Sequence, residues 1–169
     1  RLLHRRRRAF QGPSRQLGYD PRTSYTGRGP LEAASMGVDL RKGEMAYRCN
    51  LVTIRDGVME DFNAGHISST EGAGLLRDLD AAFEDVRVYP GVGYRNLMVV
   101  PGARGAVTTP PHDIVGQAVR DYLPRGGDAA ILLDCMERSR EVFAGHPVNR
   151  RRLDRKSTRL NSSHRLTSR

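Results

Sequence analysis

Arginines set in loops and at strand starts are the side chains of this sequence best suited to chemistry. Arg28 stands in Gly27-Arg28-Gly29-Pro30, and Arg48 interrupts an apolar run beside Cys49 and Asn50. Arg95 follows Tyr94, and Arg150 leads the basic triplet that comes after His146-Pro147-Val148-Asn149. A guanidinium is a planar fork of donors that matches phosphate and carboxylate. Glycines beside Arg28 let the backbone come close to a ligand. Together these arginines predict a pocket for a small anionic metabolite. Each also has a plainer reading: a polar loop leading into a helix for Arg28, the wet face of a strand for Arg48.

Three histidines lie between the two ends: His66, His112 and His146. None has the spacing of a metal pair, and no HxxxH or HExxH occurs. Their ordinary role is to cap a helix or stand in a loop. His112 is the most suggestive, because Pro110-Pro111 stiffens its approach and Asp113 follows directly. A rigid loop is a good platform for polar contacts. There is no GxxxxGK[ST] phosphate loop and no Gly-x-Ser-x-Gly elbow. Gly91-Val92-Gly93 is followed by Tyr94-Arg95 with no helix opening, so it carries no dinucleotide signal.

The elements that must position these residues alternate between helix and strand. Residues 31–37 read as a short helix closed by Gly37, with Pro30 in its first turn. Met45 to Ile54 is rich in β-formers and reads as one strand; Asp56-Gly57 is a hairpin signal, and Val58 to Phe62 is the return strand. Ser69 or Thr70 is expected to cap a helix running to about Phe83, with Leu75, Leu76, Leu79, Ala82 and Phe83 on its apolar face. Val86 to Tyr89 and Tyr94 to Val100 read as strands, and Thr108 to Asp113 as a fixed, irregular loop. Gly127 or Asp128 opens a helix through about Phe143, closed by Gly145, with Ile131, Leu132, Cys135, Met136 and Val142 inward. The pattern predicts an α+β fold.

The 169 residues suggest one domain by length. The net charge of +9 raises nucleic acid or a membrane surface as partners, but its distribution argues against both. Residues 1–16 hold six arginines and no acid, whereas residues 17–153 hold 17 basic and 18 acidic side chains. The basic excess belongs to the ends. Aromatics are sparse and not interleaved with basic residues, unlike an RNA stacking platform. Two distant cysteines, Cys49 and Cys135, predict free thiols in a reduced, cytoplasmic setting. No apolar run is long enough to span a bilayer.

Six motifs occur in order: GYDPRTSYTGRGPLEAASMGVDL, MAYRCNLVTIRDG, AGHISSTEG, YPGVGYRNLMVV, TPPHD and HPVNRRR. In this order they resemble the cofactor-independent phosphoglycerate mutases of the archaeal type, members of the alkaline phosphatase superfamily that also occur in bacteria. The resemblance covers about Leu17 to Leu153. It implies a parent enzyme that interconverts 3-phosphoglycerate and 2-phosphoglycerate through a phosphoserine and two divalent metals, Mn²⁺ or similar, without 2,3-bisphosphoglycerate. It further implies that this chain is the inserted, substrate-binding cap domain of an alkaline-phosphatase-like α/β enzyme. Arg28, Arg48, Asn50, Arg95, His112 and Asp113 are then candidates for the substrate side. Asn149 and Arg150 are candidates where the chain re-enters the catalytic domain.

The same resemblance places the serine nucleophile about nine residues before Gly18, where this chain has Ala9, and the metal ligands outside the matching stretch. No catalytic or metal-binding residue is therefore expected here, and the missing catalytic domain of its own chain is the expected partner. The chain does not begin with Met, which reads as a fragment. Residues 1–16, with four consecutive arginines, read as a doubtful or frame-shifted segment, a genuine basic arm being the other reading. Asp154 to His164, DRKSTRLNSSH, is identified as the in-frame translation of a DNA sequencing adapter, so 154–169 is expected to be a foreign, disordered tail. Two other functions stay open. One is a sister activity on the same scaffold: the AGHISS and TPPHD forms resemble a bacterial subgroup proposed to be homoserine kinases, and phosphonopyruvate decarboxylase-like members also exist. The other, of a different class, is a non-catalytic or nucleic-acid-binding basic module.

Overall fold

A computed structural model of the chain describes residues 28–102 and 105–155. The doubtful N-terminal segment, the part of the opening motif before Arg28, and residues 156–169 lie outside the described residues. The elements run α1 (Arg28–Ser35), β1 (Glu44–Asn50), β2 (Thr53–Arg55), β3 (Val58–Asp61), α2 (Ser69–Ala81), β4 (Arg87–Tyr89), β5 (Arg95–Pro101) and α3 (Ala129–Ala144). Two 3₁₀ turns, Pro111–Asp113 and Val119–Tyr122, lie between β5 and α3. Residues 147–155 are helical again.

β1, β5 and β4 form an antiparallel sheet in that order, with β5 central. The strand period of two gives the sheet two apolar faces. Tyr47, Met98, Val100 and Val88 face one core with Leu75, Leu76 and Leu79 of α2 and with Leu132 and Cys135 of α3. Ala46, Leu97 and Val99 face a smaller core beneath Ala33 of α1. The result is three layers: α1, the sheet, then α2 with α3. This mixed architecture agrees with the α+β expectation.

Three differences from the expected elements have local causes. The run Met45 to Ile54 is two strands, because pairing with β5 stops at Asn50 opposite Arg95. Leu51 then turns into the larger core and its N–H donates to the Tyr94 carbonyl at 2.9 Å. β2 pairs instead with β3 through Asp56 and Gly57, both at positive φ (50° and 77°), as a tight hairpin requires. The cap of α2 is Ser68, not Ser69 or Thr70: its hydroxyl accepts from the Glu71 N–H, and the Glu71 side chain reaches back to it. Met136 points outward, and Ala129 takes the inward place beside Leu132 and Cys135.

Two contacts fix the geometry near the candidate residues. A Cβ on Gly29 would stand 1.7 Å from the Ala46 carbonyl oxygen. Gly29 thus lets α1 lie directly on the β1 backbone, so its closeness serves helix packing, not the ligand approach expected from sequence. The Pro-rich segment is the second. The Met59 N–H donates to the Gln117 carbonyl at 3.0 Å, Gly116 N–H to Met59 at 2.9 Å and Val119 N–H to Gly57 at 2.9 Å. Ile114 is buried beneath. The expected irregular loop over Thr108 to Asp113 thus holds to Pro110 and ends in a 3₁₀ turn at Pro111–Asp113, and residues 116–119 just after it dock along the β2–β3 hairpin.

Candidate functional site

The α1-side face of the β1–β5 pair changes character along its length. Ala46 opposite Val99 is core. Two residues on, Arg48 lies opposite Leu97, and at the end Asn50 lies opposite Arg95. Residues two apart on a strand share a face, so Arg48 and Asn50 project together toward the end of the pair, Arg48 beside Glu32 of α1. An open cleft of about 370 Å³ forms there, lined by Arg48, Asn50, Phe62, Tyr94, Arg95 and His112.

Each wall of the cleft has its own support. Arg48 lies 3.9 Å from the Glu32 carboxylate of α1, with 28% of its side chain exposed. It is half-buried at the cleft, so it is not a residue of the wet face. The Arg95 guanidinium lies 5.2 Å from the centroid of the Tyr94 ring, and its Nε–H donates to the Tyr94 hydroxyl at 3.2 Å. His112 Nε2 is 3.3 Å from the Asp113 carboxylate. Phe62 stands edge-on to both Tyr94, at 5.8 Å between centroids, and His112, at 6.3 Å. Phe62 leaves β3 into a turn whose Ala64, Gly65 and His66 all have positive φ. The Asp61 carboxylate holds that turn by accepting from the N–H groups of Asn63 at 2.9 Å and Gly65 at 2.8 Å. Arg152 adds a hydrogen bond to the Ala64 carbonyl.

Of the residues singled out from sequence, Arg48, Asn50, Arg95 and His112 meet at this cleft, with Asp113 beside His112. Arg28 opens α1. Asn149 and Arg150 stand elsewhere and close the end of α3. Asn149 Nδ2 donates to the Phe143 carbonyl at 2.9 Å, and the Arg150 guanidinium donates to the Gly145 carbonyl at 2.8 Å. His146 has the expected capping role: its Nδ1 accepts from the Val148 N–H at 3.1 Å, which leaves Nε2 to donate to Asp78 at 2.9 Å. Phe62, Tyr94 and Glu32 were not singled out. The adjacency of Tyr94 and Arg95 was a readable signal for one of them. Phe62 and Glu32 reach the site only through tertiary packing.

Neither cysteine is a candidate nucleophile. Burial pushes the Cys49 thiol up to about 12 and the Cys135 thiol to about 11, so both stay protonated at neutral pH. Among the described residues no three His, Cys, Asp or Glu side chains converge as a metal site. The described residues thus do not fit the metals that the sequence resemblance implies. What the cleft offers is two guanidiniums, a carboxamide and an imidazole around an opening of small-metabolite size, with an aromatic wall. That arrangement suits a small ligand carrying two anionic groups.

Fold and cleft together describe an α+β module with a cation-lined cleft. Residues 15–149 match the family described as 2,3-bisphosphoglycerate-independent phosphoglycerate mutase. The chain belongs to that family. It is 56% identical over 137 residues to the 2,3-bisphosphoglycerate-independent phosphoglycerate mutase of Methanothrix thermoacetophila, covering 81% of this chain and 35% of that protein. It is 45% identical over 153 residues to a probable member from the bacterium Geobacter sulfurreducens, covering 86% of this chain and 38% of that protein. Among solved structures, the cofactor-independent phosphoglycerate mutase from Thermoplasma acidophilum superposes with a TM-score of 0.66 at 32% identity, over 82% of this chain and 40% of that one. The chain thus spans little more than a third of the length of these curated relatives. The archaeal-type resemblance read from the six motifs is borne out, and so is the mixed α+β fold.

Proposed function

We propose that this chain is the substrate-binding part of a phosphoglycerate mutase and that the cleft takes phosphoglycerate. The observation that carries this is the meeting of Arg48, Asn50, Arg95 and His112, from three separate segments, around one opening. Phosphoglycerate carries a phosphate and a carboxylate, and two arginine forks answer both. The same forks would hold a freed glycerate while it turns between transfers. Phosphoryl transfer through serine and divalent metals, as the resemblance implies, is assigned to parts of the parent enzyme that the described residues do not supply. Arg28 stays a candidate for the substrate side, and Asn149 and Arg150 for the seam with the catalytic domain. The domain reading also stands as a proposal: 17–153 as the inserted domain, preceded by a doubtful segment and followed by an adapter-derived tail. The free thiols Cys49 and Cys135 support a cytoplasmic setting. No helix among the described residues is long and apolar enough to cross a membrane.

The test is a calorimetric titration of the chain with 3-phosphoglycerate, with phosphohomoserine as the comparison ligand. Saturable binding is expected, and Arg48→Gln and Arg95→Gln should each weaken it by about tenfold, as for a lost charge-assisted hydrogen bond. Equal affinity in the double variant would remove the cleft from consideration. Preference for phosphohomoserine would favour the sister activity. No turnover of 3-phosphoglycerate by this chain with Mn²⁺ is expected, and measurable turnover would refute the division of labour.

A further inference from the structure

The cations of the cleft are not equivalent. Arg48 has the Glu32 carboxylate beside it, and His112 has Asp113. Among the described residues no carboxylate pairs with Arg95, which is held instead by the ring and hydroxyl of Tyr94. A ring face attracts a guanidinium without cancelling its charge. Arg95 therefore presents the least neutralised positive charge in the cleft.

The platform beneath it is stiff. The Tyr94 carbonyl accepts from the Leu51 N–H at 2.9 Å and from Asn96 Nδ2 at 3.0 Å. Asn96 is buried, and its Oδ1 accepts from the Gly91 N–H at 3.0 Å. The turn before β5 is so tight that a Cβ on Gly91 would stand 2.3 Å from the Arg95 carbonyl oxygen. Phe62 braces the Tyr94 ring edge-on and meets His112 in the same way. A free arginine loses rotamer freedom when it grips an anion; one already held loses less.

We propose that Tyr94 is the positioning residue of this cleft: its ring and hydroxyl hold Arg95 ready as the cation that receives the anion, and Phe62 braces the ring. The proposal rests on the reading of the cleft as the phosphoglycerate site and adds which cation leads and what aims it. Phe62 also sets the spacing of the His112 wall from the Arg95 wall. The site therefore favours an anion with a second polar group over a bare one.

The experiment uses the chain as it stands, titrated with 3-phosphoglycerate and with inorganic phosphate, while the side-chain Nε–H resonance of Arg95 is followed by NMR. Tyr94→Leu should weaken phosphoglycerate binding by about tenfold and abolish the ring-current shift of that resonance. Tyr94→Phe keeps the ring and should keep the shift, while weakening binding by about threefold. Phe62→Leu should narrow the preference for phosphoglycerate over phosphate. Tyr94→Leu binding like the wild type, or an Arg95 resonance that it leaves unmoved, overturns the proposal alone. A wild-type chain that binds neither ligand overturns the reading of the cleft and this proposal with it.

Discussion

At the residue scale the cleft is a contest among charges. Glu32 holds part of the field of Arg48 at 3.9 Å, and about a quarter of each side chain is exposed. Partly exposed pairs of this kind contribute about 0–1 kcal/mol. An arriving anion must compete with Glu32 for the guanidinium. Glu32→Gln should therefore tighten phosphoglycerate binding by up to about fivefold at low salt, with the gain fading as salt screens it. Unchanged or weaker binding in a salt series would count against a substrate role for Arg48. Away from the cleft, Glu71 is the acid most shifted. The Arg155 guanidinium lowers it most, partial burial opposes this, and the Ser68 backbone and Arg152 add to the lowering, leaving it at about 2 against an ordinary 4.5. Because its folded value is depressed, the stability it contributes is present above pH 4.5 and is lost as pH falls toward 2.

At the element scale the site depends on how α1 seats on β1. Gly29 has no Cβ, which is why the helix can rest on the Ala46 carbonyl. Gly29→Ala should lift α1 from the sheet, open the small core around Ala33 and Leu97, and separate Glu32 from Arg48. The expected loss is about 2–4 kcal/mol of stability, comparable to a large core disruption. Denaturant unfolding measures it, and a variant as stable as the wild type would show that α1 packs elsewhere. Leucine spacing announced α2, and Asp56-Gly57 announced the β2–β3 hairpin, because both signals act over a few residues. Local signals also misled. The β-forming run over 45–54 looks continuous, but it divides because β5 pairs with only its first part. Ser68, Ser69 and Thr70 are equivalent as caps by type. Only the reach of Glu71 back to Ser68 selects among them.

At the scale of the whole molecule, charge and boundary are linked. The body is nearly balanced, and the +9 lies in the ends. Arg155 belongs to the segment proposed to be adapter-derived, so its pair with Glu71 would be foreign to the parent enzyme. A chain limited to 17–153 should keep phosphoglycerate binding. Its Glu71 should titrate higher than about 2, because the Arg155 guanidinium that lowers it most is gone, while Arg152 still holds it below its ordinary value. Carboxylate titration by NMR checks this. A Glu71 that titrates as before would mean that Arg152 and the Ser68 cap suffice.

Most helices and strands, the balanced body between basic ends, and the six ordered motifs that carry the family were legible from the residues in order. These are local or linear properties: periodicity, turn chemistry and charge count need no knowledge of what packs on what. Which candidates share a site depends on strand pairing and packing. Arg48, Asn50 and Arg95 meet because β1 runs antiparallel to β5 in one register, and a slip of β1 by one residue would turn Arg48 and Asn50 to the face away from Arg95. His112 joins them because residues 116–119, just after its 3₁₀ turn, dock along the β2–β3 hairpin and its ring meets Phe62. Asn149 and Arg150, alike in type, bond to the end of α3 instead. Residue type states what a side chain is able to bind. Long-range pairing, paid in chain entropy and repaid by burial, states where it stands.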